Sequence, residues 1–181
     1  MPEVQIRPAI GDDIPILISK DHSYTTDYVW QMDIHQQEGQ VGATFREIRL
    51  PRTVRSEYPQ DLERLGGDWS QRALVLVAES DGQPLGYISL DRGLVPGAVW
   101  VTDWMVDKPN RGQGIGTVLL MEAQHWAASN GFMFMYLAVQ SKNYAVISLA
   151  QKNGYDFCGY SDQYYPNQDI ALFFVRRMGM S

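Results

Sequence analysis

The chain has 181 residues, of which 45% are hydrophobic, enough to form the core of one domain of ordinary size over residues 1–181. The chain has 15 Lys and Arg residues and 21 Asp and Glu residues, and its net charge of −6 disfavours a nucleic acid or an anionic membrane as partner. Cys158 is the only cysteine, which excludes an intrachain disulfide and a cysteine metal cage, and we expect it to be buried. With neither a leader pattern nor a run of about 20 apolar residues, we expect a cytoplasmic protein without a membrane segment.

Short patterned segments predict the elements of the first part of the chain. Alternation at residues 4–6 predicts a strand, and the acidic pair at 12–13 precedes a short helix. Residues 30–34 and 45–50 alternate between apolar and polar side chains on either side of a Glu-Gly turn at 38–39. This arrangement predicts a β-hairpin.

Strands and then alternating helices and strands are predicted for the rest of the chain. The predicted elements are strands at 73–78, 85–90 and 98–106, a helix at 114–129, a strand at 132–140, a helix at 143–152 and a strand at 171–175. Three consecutive strands imply an antiparallel meander, and the alternating end implies parallel pairing in the same sheet. The fold class is therefore α/β with a mixed sheet.

The segment that joins the strand ending at Val106 to the following helix is rich in glycine. Gly112, Gly114 and Gly116 permit close backbone approach, and the first amides of a helix have no intrahelical partner. The helix dipole and Arg111 add positive charge, so the turn suits a pyrophosphate. Its spacing matches neither a P-loop nor the G-x-G-x-x-G pattern of dinucleotide-binding folds. A helix start that merely turns tightly is the alternative.

This motif resembles the signature of the GNAT superfamily of acetyl-CoA-dependent N-acetyltransferases. Arg111-x-x-Gly114-x-Gly116 carries the resemblance, and the segment Ile6-Arg7-Pro8-Ala9 and Asn143 followed by Gly154-Tyr155 are similar to other segments of the superfamily. The resemblance implies a mixed sheet, with helices on both faces, that splays between the strand ending at Val106 and the strand that follows the long helix.

By this resemblance acetyl-CoA would lie in the split of the sheet. Its pantetheine arm would pair with the backbone of Met105 and Val106, and Asn143 would bond the arm from the other side. Its pyrophosphate would lie on the glycine-rich turn, which comprises Arg111, Gly112, Gln113, Gly114, Ile115, Gly116 and Thr117. No metal is expected, because the three histidines lack metal-ligand spacing.

Two subfamilies resemble different parts of the chain. Residues 23–30 and the hairpin up to residue 47 resemble streptothricin acetyltransferases, which acetylate an amine of an antibiotic. Tyr164-Tyr165-Pro166 followed by Asp169-Ile170-Ala171 is similar to the tail of ribosomal-protein N-terminal acetyltransferases. The resemblances imply an amine acceptor, on a small molecule in the first reading and at a peptide N-terminus in the alternative. A homodimer is left open.

The catalytic residues usual in both subfamilies are absent. Where those enzymes carry a Glu base and a Tyr acid, this chain has Ala138 and Ala150. Asp103 lies near the expected acetyl group and is the leading candidate for the base or for binding the ammonium group, a structural hydrogen bond being its alternative role. Tyr164 and Tyr165 are candidates to replace the missing Tyr. The two alanines also leave open a non-catalytic acyl-CoA-binding module.

Overall fold

A seven-stranded sheet and a separate two-stranded hairpin form the β-structure of the protein, which a computed structural model describes for residues 3–179. The strands are β1 (Gln5–Pro8), β2 (Tyr24–Gln37), β3 (Gln40–Ser56), β4 (Leu74–Ser80), β5 (Gln83–Arg92), β6 (Ala98–Val106), β7 (Phe134–Gln140), β8 (Asp156–Ser161) and β9 (Ala171–Arg177). The helices are α1 (Asp13–Ser19), α2 (Leu62–Asp68), α3 (Ile115–Ser129) and α4 (Tyr144–Lys152). Within residues 3–179 no helix is long and apolar enough to cross a membrane.

The large sheet has the order β1-β4-β5-β6-β7-β9-β8, and β6 and β7 are parallel neighbours within otherwise antiparallel pairings. Successive side chains of a strand point to opposite faces. In β4, Leu76 and Ala78 pack in the core that contains α3, whereas Val75 and Val77 pack in a second core with Leu17 of α1. Helices therefore cover both faces, and the expected mixed α/β sheet is confirmed.

The predicted β-hairpin is present and is longer than its sequence pattern, because β2 and β3 have 14 and 17 residues. It lies against the end of the sheet that carries β7 and β8. The backbone N–H of Trp30 donates to the carbonyl of Ser141 at 2.9 Å. The Phe45 ring lies 5.4 Å from Phe157 and 5.1 Å from Tyr160 between ring centroids.

Two elements were not predicted from the sequence. Helix α2 contains Gly66 and Gly67, which have low helix propensity, and it depends on burial of Leu65 and capping by Asp61. Strand β8 is an edge strand whose pairing with β9 is interrupted between Phe157 and Gly159. The expectation that Cys158 is buried is wrong, because it lies exposed at this irregularity.

The sheet splays between β6 and β7. Their pairing begins at Ala98 with Phe134 and ends at Val101 with Leu137. On the other side of β6 the register with β5 shifts, so that Thr102 is an extra residue opposite the step from Ser89 to Leu90. Such a bulge bends a strand and strengthens its twist. The end of β6 therefore turns away from β7 and leaves a cleft.

The end of β6 also requires a glycine in β5. Gly86 is paired with Val106, and a Cβ atom there would lie 2.5 Å from the carbonyl oxygen of Met105. Because this neighbour is backbone, we expect Gly86→Ala to lower the free energy of unfolding by about 1–3 kcal/mol. Gly42→Ala is the matched control, since a Cβ atom there meets nothing within 4 Å. Equal unfolding midpoints in urea for the two variants would contradict this packing.

Candidate active site

The cleft between β6 and β7 has a volume of about 630 Å³ and brings together most of the residues that the sequence singled out. The predicted cofactor residues that line it are Met105, Val106, Arg111, Gly112, Gly114, Ile115, Gly116, Thr117 and Asn143. Gln113 is the exception, and its side chain donates to the carbonyl of Pro109 at 3.2 Å. Asp103 and Tyr165 also line the cleft.

The glycine-rich turn presents unpaired amides at one end of the cleft. Gly114 precedes α3 with a φ of 86°, a left-handed conformation that favours glycine. The first helical hydrogen bond runs from the amide of Val118 to the carbonyl of Gly114 at 3.1 Å. The amides of Ile115, Gly116 and Thr117 come before it and have no partner within the helix. Together with the helix dipole, these amides suit an anion.

The guanidinium of Arg111 makes structural contacts rather than pointing freely at the anion site. It donates to the carbonyl oxygens of Val106 at 2.7 Å, Ser23 at 2.9 Å and Asp21 at 3.3 Å. These bonds tie the end of β6 to the loop between α1 and β2. The side chain expected to add positive charge to the phosphate site therefore fixes the strand end that borders the cleft, and it contributes its charge from there.

The β7 side of the cleft carries Asn143 and Ala138. The side-chain oxygen of Asn143 accepts a hydrogen bond from the amide of Val146 at 3.3 Å and caps α4. Ala138 lines the cleft and leaves its wall without a titratable group at this position. Ala150 lies in α4 and is fully buried in the core.

Asp103 lies in a buried ion pair with Arg72, and both side chains are 7% exposed. One carboxylate oxygen accepts a hydrogen bond from the hydroxyl of Tyr58 and the other from the guanidinium of Arg72. Arg72 also donates to the hydroxyl of Ser89 at 2.8 Å and to that of Thr102 at 2.9 Å. The structure thus favours the structural role that the sequence left as the alternative for Asp103. No sequence pattern pointed to Tyr58 or Arg72, which lie outside every predicted element.

His22 is a further buried residue of the cleft wall. Its Nδ1 lies 2.8 Å from the carbonyl oxygen of Lys20, which can only accept, so Nδ1 carries the proton. Its Nε2 lies 3.3 Å from the hydroxyl of Tyr87. Burial lowers the pKa of His22 below its usual value, so the imidazole is neutral at pH 7. From the sequence, His22 was noted only as one of the three histidines without metal-ligand spacing.

The two candidate tyrosines lie in different environments. Tyr165 is buried against the cleft, and burial raises its pKa well above the usual value of a tyrosine. Tyr164 is 48% exposed, packs on Tyr165 and Phe173, and is not among the residues that line the cleft. The geometry therefore favours Tyr165 over Tyr164 for any contact with a substrate.

A chain of hydrogen bonds runs through Gln140, the last residue of β7. The hydroxyl of Tyr24 donates to the side-chain oxygen of Gln140 at 2.7 Å, and the amide nitrogen of Gln140 donates to Asp169 at 2.6 Å. Asp169 also forms an ion pair with Lys142 at 2.8 Å. Strand β2 is thereby joined to the loop that precedes β9.

The two ends of the cleft differ in their chemistry. The end beside the glycine-rich turn, which we call the donor end, offers amides and a free strand edge that suit an extended, phosphate-bearing acyl donor. The other end, which we call the acceptor end, offers polar side chains, and the charge of Asp103 there is paired with Arg72. Among the described residues, no group of three His, Cys, Asp or Glu side chains is arranged to hold a metal ion.

The family comparison agrees with this architecture. The model of the acetyltransferase (GNAT) family matches residues 43–155, well over half of the chain. The chain belongs to this family and is an acetyl-CoA-dependent N-acetyltransferase.

Individual relatives are similar over nearly the whole chain. A streptothricin acetyltransferase from Streptomyces lavendulae is 26% identical over 167 residues, which cover 89% of this chain and 86% of the relative. The crystal structure of nourseothricin acetyltransferase superposes with a TM-score of 0.81 at 22% identity, covering 97% of this chain and 99% of that one. A ribosomal-protein alanine N-acetyltransferase from Escherichia coli has a TM-score of 0.71 at 16% identity, covering 99% and 96%. Both structural matches establish the fold.

The buried ion pair makes Arg72 critical for stability. Removal of one partner of a buried pair leaves an uncompensated charge, so we expect Arg72→Met to lower the free energy of unfolding by about 3–5 kcal/mol. Arg46 forms an ion pair with Asp33 at the surface, where the two side chains are 62% and 37% exposed. Arg46→Met is therefore expected to cost less than about 1 kcal/mol. Urea denaturation measures both, and a small loss for Arg72→Met would show that Asp103 tolerates isolation.

Proposed function

We propose that this acetyltransferase transfers the acetyl group of acetyl-CoA directly to a primary amine of a small molecule, with streptothricin-like antibiotics as the first candidates. The observation that carries the proposal is the bridge from Tyr24 through Gln140 to Asp169, which crosses the space between β2 and the loop before β9. A long peptide would need an open channel there, whereas a compact acceptor fits a pocket that is closed on this side. The similarity to a streptothricin acetyltransferase supports the same acceptor class.

In this proposal acetyl-CoA occupies the cleft along the free edge of β6. The pantetheine arm pairs with the backbone of Met105 and Val106, the amide group of Asn143 faces it, and the pyrophosphate lies on the first amides of α3. A backbone N–H near Val106 then stabilises the negative charge that develops on the thioester oxygen when the amine attacks.

The acceptor pocket is aromatic, as a cationic amine prefers, but its acidic groups are paired. Tyr24, Tyr58 and Tyr165 line it. Asp103 is paired with Arg72, and Asp169, which contacts Gln140 and does not itself line the cleft, is paired with Lys142. The pocket therefore selects an amine through hydrogen bonds and aromatic faces more than through net negative charge, and it favours the neutral amine that the reaction requires.

A peptide N-terminus is the alternative acceptor, supported by the tail around Tyr165 and by the fold shared with a ribosomal-protein acetyltransferase. Assays with streptothricin, simple primary amines and peptides with N-terminal alanine distinguish the two acetyl acceptors. In each assay the release of the coenzyme A thiol is measured. We expect the highest kcat/KM with streptothricin. A preference for peptides would replace the proposed acceptor, and absence of turnover with every amine would leave an acyl-CoA-binding module.

The assigned phosphate site predicts how the protein responds to its donor. Acetyl-CoA should raise the melting temperature, because a ligand that binds only the folded state stabilises it by mass action. Gly114→Val should abolish this shift, since the φ of 86° at Gly114 strains a β-branched residue and distorts the anion site. Gly39→Val is the matched control, with a φ of 72° in the hairpin turn and nothing within 4 Å. If folded Gly114→Val protein shows the full rise in melting temperature with acetyl-CoA, the phosphates bind elsewhere.

A further inference from the structure

The acceptor end of the cleft contains a tyrosine hydroxyl whose direction is fixed by buried charges. Tyr58 is half-buried, lines the cleft and donates its proton to Asp103. Arg72 holds the other oxygen of Asp103, and Asp68 accepts from Arg72 at 2.9 Å. Gln60, two residues after Tyr58, donates to the carbonyl of Thr102 at 3.1 Å and fixes the same segment on the bulge of β6.

The ion pair leaves Asp103 unsuited to act as a free base. Both of its oxygens accept hydrogen bonds, one from the hydroxyl of Tyr58 and the other from the guanidinium of Arg72. A buried ion pair is also a poor source of stability, because desolvation offsets most of its attraction. What the pair does provide is a fixed acceptor that determines where the hydroxyl hydrogen of Tyr58 points.

The oxygen of Tyr58 is left as a hydrogen-bond acceptor. Its single hydrogen is directed to Asp103, so its lone pairs can only receive a hydrogen from another group. Burial and the negative charge of Asp103 raise the pKa of Tyr58 well above its usual value, so the side chain stays a phenol. The ring of neutral His22 packs on Tyr58 with 5.1 Å between centroids and adds no positive charge that would repel an amine.

We propose that the hydroxyl oxygen of Tyr58 accepts a hydrogen bond from the nitrogen of the amine substrate. This bond orients the nitrogen lone pair toward the thioester carbon. Tyr58 is then a catalytic residue that touches the substrate, whereas Asp103 and Arg72 are positioning residues that act through it. The inference deepens the proposed acetyltransferase function and rests on it. It also gives the acceptor end a polar group although Ala138 replaces the usual carboxylate.

Tyr58→Phe tests this role because it removes the hydroxyl and keeps the ring. With streptothricin as the probe, kcat/KM for the amine should fall about 10- to 100-fold, the usual effect of losing a hydrogen bond to a charged or reacting group. The KM for acetyl-CoA should not change, whereas a general loss of structure would change it as well. Tyr155→Phe is the control, since that hydroxyl binds Gln124 at 3.3 Å in the core. It should leave both constants unchanged.

A double-mutant cycle separates the positioning role of Asp103 from that of an independent base. If Asp103 acts only through Tyr58, Asp103→Asn should lower kcat/KM by no more than Tyr58→Phe does. Adding Tyr58→Phe to Asp103→Asn should then give a total loss close to that of Tyr58→Phe alone, because residues that act through one group are not additive. Losses that multiply would make Asp103 an independent base and overturn the inference. If Asp103→Asn does not fold, Tyr58→Phe alone decides.

The outcomes distinguish the inference from the function on which it rests. If the wild type acetylates streptothricin and Tyr58→Phe does so at the same rate, the role of Tyr58 is overturned and the proposed function stands. Lack of turnover by the wild type with every amine of the screen overturns both.

Discussion

The separation of β6 from β7 after Val101 is the constraint on which the site depends. Four residues of β6 pair with β7, and the extra residue Thr102 then bends β6 away. An unpaired strand edge inside a protein is costly unless something satisfies it. Here the free edge borders the cleft in which we propose that acetyl-CoA lies, so the irregularity that interrupts the sheet also creates the space for a ligand.

The side chains around the bulge connect the fold to the chemistry. Arg72 donates to the hydroxyls of Ser89 and Thr102 at the bulge and to Asp103 beside it. The buried guanidinium of Arg72 thus stabilises both the bulge of β6 and the polar acceptor end of the cleft. At the other end of the cleft, Arg111 donates hydrogen bonds to backbone carbonyls and holds the last residue of β6 against the loop before β2. Both cations therefore hold the walls of the cleft in place through hydrogen bonds.

Local patterns in the sequence identified the sheet, the long helix and the donor end of the cleft, because glycine spacing and apolar periodicity are local properties. Helix α2, with its two glycines, and the interrupted edge strand β8 depend on tertiary contacts and were missed. The acceptor end was harder still. Asp103 was singled out by position, but its partners Tyr58 and Arg72 are 45 and 31 residues away in the chain. No spacing rule connects them, so the ion pair that changes the role of Asp103 appears only in three dimensions.

We propose that acetyl-CoA lies along the free edge of β6 with its phosphates on the start of α3. Titration of acetyl-CoA into ¹⁵N-labelled protein, followed through the backbone amide resonances, measures where it binds. We expect the largest shifts at Met105, Val106 and the turn from Gly112 to Thr117, while amides of β8 stay unchanged. Shifts centred away from both edges of the cleft, with those of Met105 and Gly114 unmoved, would contradict it.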